Sequence, residues 1–83
     1  MGRATVIGIS HNAVRFVMET DDQVLVVGDS NGVWTPAKGC VLLGAVSSYG
    51  GQTLGIAGTT QTADVFIESV GCSPAQARVL LGK

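Results

Sequence analysis

Gly39 to Ala63, GCVLLGAVSSYGGQTLGIAGTTQTA, contains no Asp, Glu, Lys, Arg or His; its only titratable groups are the Cys40 thiol and the Tyr49 phenol. That is 25 of 83 residues. Within it, Cys40 to Val46 and Gln52 to Ala57 read as two strands joined by a Ser-, Tyr- and Gly-rich loop. A sheet with one solvated face alternates apolar and polar residues. A run of Val, Leu and Ile broken mainly by glycine instead predicts burial on both faces. A chain this short has little interior with which to cover both faces of a strand pair. The cover is therefore expected from a second copy or a partner, with Leu42, Val46, Leu54 and Ile56 as the interface.

Upstream, the residues also read as β-structure. Thr5 to Ile9 is short and β-branched, and Ser10-His11-Asn12 supplies turn chemistry. Ala13 to Glu19 alternates, with Val14, Phe16 and Met18 on one face and Arg15, Val17 and Glu19 on the other. Gln23 to Val27 is a third strand. Asn31-Gly32 is a hairpin signal leading to a short strand at Val33-Trp34-Thr35, which Pro36 stops.

Beyond residue 59 the period changes. Ala63, Phe66, Ile67 and Val70 stand at i, i+3, i+4 and i+7, which predicts a helix capped by Thr60 or Thr62 and ended by Gly71. A second helix starts with Ser73 as N-cap, Pro74 at N1 and Gln76 closing a capping box; Ala77, Leu80 and Leu81 are its apolar side. The fold class expected is α+β: a five- or six-stranded antiparallel sheet or small partly closed barrel, followed by two short C-terminal helices. Residues 1–83 form one domain, β-rich over 1–58 and a helical hairpin over 59–83. The predicted core is Val6, Ile7, Phe16, Val24, Val26, Leu42, Val46, Leu54, Ile56, Phe66, Ile67 and Leu80.

Composition excludes several classes. A charged fraction of 13% with 46% hydrophobic residues is the opposite of a disordered chain. Five basic residues scattered singly and a net charge of −1 count against nucleic acid, which demands clustered Lys and Arg. No stretch meets the length of a membrane span, and the N-terminus lacks the pattern of a signal peptide, so a cytoplasmic location is the default. In a reducing compartment Cys40 and Cys72, 32 positions apart, read as buried thiols, with a Cys40–Cys72 disulfide as the alternative.

No motif specifies a reaction. His11 is the sole histidine and stands in a turn without a nucleophile signature. Asp21-Asp22 and Asp29-x-Asn31 carry hard-cation chemistry, but the position twelve residues into a calcium loop starting at Asp29 is Cys40. Gly50-Gly51 and Gly55-Ile56-Ala57-Gly58 match neither phosphate-loop pattern. No cofactor or metal is expected, and the chain is read as a non-enzyme.

Three functions remain. The first is a self-associating binding or assembly protein acting through the face or edge of the uncharged hairpin. The second is a sponge or sensor for a small anionic, nucleotide-like or metabolite ligand. Its pocket would lie at a subunit boundary lined by Arg15, Trp34, Tyr49 and Thr60. The third is an inhibitor of a larger protein partner.

Overall fold

The computed structural model describes residues 2–11, 13–30 and 34–82. Six strands, β1 (Gly2–Ile9), β2 (Arg15–Thr20), β3 (Leu25–Ser30), β4 (Val41–Gly44), β5 (Gly50–Ile56) and β6 (Thr62–Val70), precede a single helix, α1 (Pro74–Leu81). All pairings are antiparallel, and the strands close into a barrel in the order β1-β2-β3-β6-β5-β4. The sheet predicted as partly closed is thus fully closed, by β4 pairing with β1 from Gly2↔Gly44 to Thr5↔Val41.

Closure explains the uncharged segment. Alternate residues of each strand point into the barrel: Ala4 and Val6, Phe16 and Met18, Val26, Leu42, Leu54, and Ala63, Val65 and Ile67 form one buried cluster. The interior is a packed core rather than a channel, as in other barrels of few strands. Val46, in the β4–β5 loop, folds back as part of that core, so close to the chain start that a Cβ on Gly2 would lie 3.0 Å from its Cγ2. The half-buried Trp34 packs edge-on against Phe16 from the β3–β4 connection, ring centroids 5.4 Å apart. That connection and the β4–β5 loop leave opposite ends of the barrel, so Trp34 and Val46 close one end each.

One predicted helix is a strand. Residues 63–70 lie in β6, between β3 and β5; of the expected caps, Thr62 opens that strand and Thr60 lies in the preceding turn, where the Thr59 hydroxyl donates to the Ile56 carbonyl and accepts from the Gln61 N–H. The helical stripe was one of two periods in the same residues. Ala63, Val65 and Ile67 also alternate, and the register shift opposite Val27/Gly28 lets Val70 return to the core side after Glu68 and Ser69. Phe66 consequently faces outward and is 47% exposed, as is Ile7 at 46%, both contrary to expectation. Val24, Ile56 and Leu80 are partly rather than fully buried. Trp34 and Thr35 belong to no strand, while the Asn31-Gly32 turn lies outside the described residues.

The second predicted helix forms with the grammar of its residues. Ser73 accepts from the Gln76 N–H and the Gln76 side chain accepts from the Ser73 N–H, both at 3.2 Å. Helix α1 lies on the outside of the barrel, where Ala77 packs with Val17 and Val27. The chain approaches closely at Gly8, where a Cβ would stand 2.8 Å from Leu81 Cδ1.

Gly44 turns the chain out of β4 at φ 132°, a conformation L side chains rarely adopt, and a Cβ there would stand 3.2 Å from Leu54 Cδ2. Gly44→Ala is expected to destabilise the protein by about 1–3 kcal/mol, read as a lower urea midpoint. An unchanged midpoint would show that the β4–β5 connection carries no such constraint.

Candidate functional site

The residues of the expected interface fall into the wrong layer. Leu42 and Leu54 are 0% exposed and Val46 is 3% exposed within a single chain, and Ile56 packs partly buried against the same core. Leu42, Val46 and Leu54 are covered by the chain itself while the barrel is closed. The premise that one chain is too small to cover both strands fails because the sheet curls and covers their inner face itself. Closure also pairs every strand on both sides, so the edge on which β-augmentation depends is not offered by the barrel.

What the uncharged segment leaves outside is its other face. Across β4, β5 and β6 the outward residues run in rows set by the register: Leu43 beside Gly55 beside Thr62, Thr53 beside Asp64, and Gly51 beside Phe66. Leu43 is 39% exposed. Phe66 is paired with Gly51, where even a Cβ would meet nothing within 4 Å, so no side chain from β5 covers the ring, which is 47% exposed. Asp64, whose carboxylate accepts the Thr53 hydroxyl at 2.9 Å, is the one ionisable group in these three rows. Tyr49, 66% exposed, stands in the β4–β5 loop at one end of the face.

Beyond Phe66 the surface becomes charged. Arg15 donates to Asp29 and contacts Glu68, both at 2.9 Å, and its other arm reaches the Leu80 carbonyl at 3.4 Å. The hydrogen bond to Asp29 holds the guanidinium above its ordinary pKa, with burial opposing and both carboxylates adding to the rise. Arg15 is therefore charged throughout the usual pH range and ties the barrel wall to the last turn of α1. Removing it with Arg15→Gln is expected to cost about 1 kcal/mol, and the loss should shrink in high salt as screening weakens the wild-type pairs. Equal losses at low and high salt, measured by thermal unfolding, would assign the effect to packing.

The residues proposed to line a ligand pocket are not gathered into one. Arg15 is engaged by Asp29 and Glu68, and Trp34 by Phe16. Tyr49 leaves the barrel at the end opposite the connections that carry Trp34 and Thr60. Because Thr62 opens a strand, no helix start presents free amides at residues 60–64. Of the candidate cation ligands, Asp29 pairs with Arg15 and Asp21 with Arg3. His11 lies exposed in the β1–β2 turn. Both cysteines are free thiols. Burial pushes the Cys40 thiol above its ordinary pKa, so alkylation of Cys40 at pH 7.5 is expected to be slower than that of a free cysteine; a mass-resolved rate matching the free amino acid would contradict it.

The second feature of the outer surface is the setting of α1. The helix buries only Ala77 fully, and a shallow groove runs along each flank. One, of about 340 Å3, is bounded by Cys72, Ala75, Val79 and Leu80; the other, of about 280 Å3, by Ile7, Gly8, Arg78 and Leu81. Val79, on the rim of the larger, is 59% exposed. Sequence reading missed these grooves because they depend on α1 crossing strands that lie far from it in the chain. No helix among the described residues is long and apolar enough to cross a membrane.

Compared with protein-family models, with curated proteins and with solved structures, the chain matches none of them.

Proposed function

We propose that this protein is a non-catalytic, self-associating assembly protein and that the outer face of β4, β5 and β6 is its contact surface. The observation that carries the reading is the outward half of the uncharged segment. The inward half needs no further account, since it fills the barrel. The outward half has no such role, yet it keeps Leu43, Gly51, Thr53 and Gly55 where a solvated strand would carry charged residues, with Phe66 and Tyr49 exposed beside them. Large apolar side chains on a flat, charge-poor ground are the makings of an interface centre, with Asp64 as its polar element.

Size is compatible with this role. A standard interface buries about 800 Å2 per partner. Against an accessible surface of 4758 Å2 that is about a sixth of the chain, the extent of one wall of the barrel.

Light scattering coupled to size exclusion tests the reading. The wild type is expected to run at a multiple of 8.5 kDa at high micromolar concentration. Leu43→Asp should bring it to the mass of one chain without loss of the native circular-dichroism spectrum. A wild type of 8.5 kDa across that concentration range, or an unaltered oligomer in Leu43→Asp, would overturn it.

A further inference from the structure

The self-association just proposed leaves open what the sheet face touches on the next copy. A face that meets its own equivalent gives a two-fold dimer, and one that meets a different surface gives a ring or a filament. The molecule has a second, differently shaped apolar surface, and the strand order places it on the other side. Reading round the closed barrel as β1-β2-β3-β6-β5-β4, β5 at the centre of the flat face stands opposite β2, and α1 lies over β2 and β3.

The two surfaces are complementary in shape and in charge. The sheet face carries the exposed Phe66 and Leu43; the helix side carries grooves of about 340 and 280 Å3, each with room for a side chain of that size. Asp64 is the acid within the rows of the face. Arg78, which borders the smaller groove, is exposed and stands outside the ion pairs formed among the described residues. Two sheet faces brought together would set Asp64 against rows with no base, the nearest being Arg3 beside Leu43, which pairs with Asp21; their nearest recess, of about 430 Å3, lies off the rows at the β4–β5 turn. A sheet face on a helix side offers both a recess and a guanidinium.

We infer that the protein assembles head to tail, the outer face of β4–β6 of one copy seated on the α1 side of the next, with Phe66 entering a groove beside α1 and Asp64 meeting Arg78. This rests on the self-association reading and specifies its partner surface. The assembly is then a ring or an open filament rather than a two-fold dimer.

Two blocked chains test it. Phe66→Asp spoils only the sheet face and Val79→Asp only the helix side; both residues are exposed, and circular dichroism checks that each variant remains folded. Head-to-tail assembly predicts that each variant alone has the mass of one chain. Mixed in equal amounts, they form a one-to-one pair through the single intact interface. A second pair of changes is gentler: Asp64→Arg and Arg78→Asp each weaken association about tenfold, and the chain carrying both recovers. A Val79→Asp variant that associates like the wild type, blocked chains that stay apart on mixing, or charge reversals that fail to rescue each other would overturn head-to-tail packing while leaving self-association standing. A wild type that is monomeric throughout would overturn both.

Discussion

Leu42→Asp is expected to leave no folded protein, whereas Leu43→Asp, one residue along the same strand, should keep the native circular-dichroism spectrum. The difference is the layer each side chain occupies. Leu42 is 0% exposed, in the cluster with Val6, Leu54 and Ile67, and its neighbour on β5 is the partly buried Ile56. Losing the leucine alone costs about 2–5 kcal/mol. Placing a carboxylate there adds a desolvation penalty of several kcal/mol, with no base in the cluster to offset it. Together these approach or exceed the roughly 5–15 kcal/mol that holds a domain folded, and a chain of 83 residues sits low in that range. Leu43 faces solvent, so its replacement removes surface area and little else. A folded Leu42→Asp protein by far-ultraviolet circular dichroism would mean that the strand's layers are assigned the wrong way round.

Phe16→Ala is expected to have the second-largest effect. Phe16 is 0% exposed, and its ring takes the edge contact from Trp34 that closes one end of the barrel. Truncation of a buried phenylalanine costs about 3–5 kcal/mol, and the lost aromatic pair adds about 1 kcal/mol. At 4–8 °C per kcal/mol for a domain of this size, the Tm should fall by roughly 20–45 °C. Trp34 is the sole tryptophan, so its emission reports the same event: with its partner ring gone it should shift to longer wavelength even in the folded state. A Tm within a few degrees of wild type, with unshifted emission, would show that Trp34 does not seal that end.

The strands of the first half were legible because each carries its own evidence. In β2 the alternation of Phe16 and Met18 with Arg15 and Val17 reports the two sides of the wall, although the outer side turned out to be roofed at Val17 by α1. The start of α1 was legible for the same reason, since Ser73, Pro74 and Gln76 act locally. β6 was not legible. Its residues satisfy two periods at once, and what selects the strand is the gap between β3 and β5 that only a sixth strand can fill, a requirement no window of nine residues contains.

The site followed the same logic. The absence of charge from residue 39 to 63 predicts two faces in need of cover. It could not say that the chain itself covers one of them, because closure depends on β1 returning to β4 across some forty residues. Hence the proposed contact residues are Leu43, Phe66 and the glycines between them rather than Leu42, Val46 and Leu54. Arg15 is the reverse case: its place in a strand is readable, but its bonds to Asp29, Glu68 and the Leu80 carbonyl join segments up to 65 residues apart.

In the proposed assembly, one chain shelters the inner half of its uncharged strands unaided and offers the outer half for contact. Amide hydrogen exchange at a dilution where light scattering gives a single chain measures this directly. The amides of β4 and β5 that pair within the barrel are expected to remain as protected as those of β2 and β3, while concentration adds protection only to the outward surface of β4–β6 and the flanks of α1. If β4 and β5 exchange freely in the isolated chain and become protected only on assembly, the barrel is closed by its neighbours and the account is wrong.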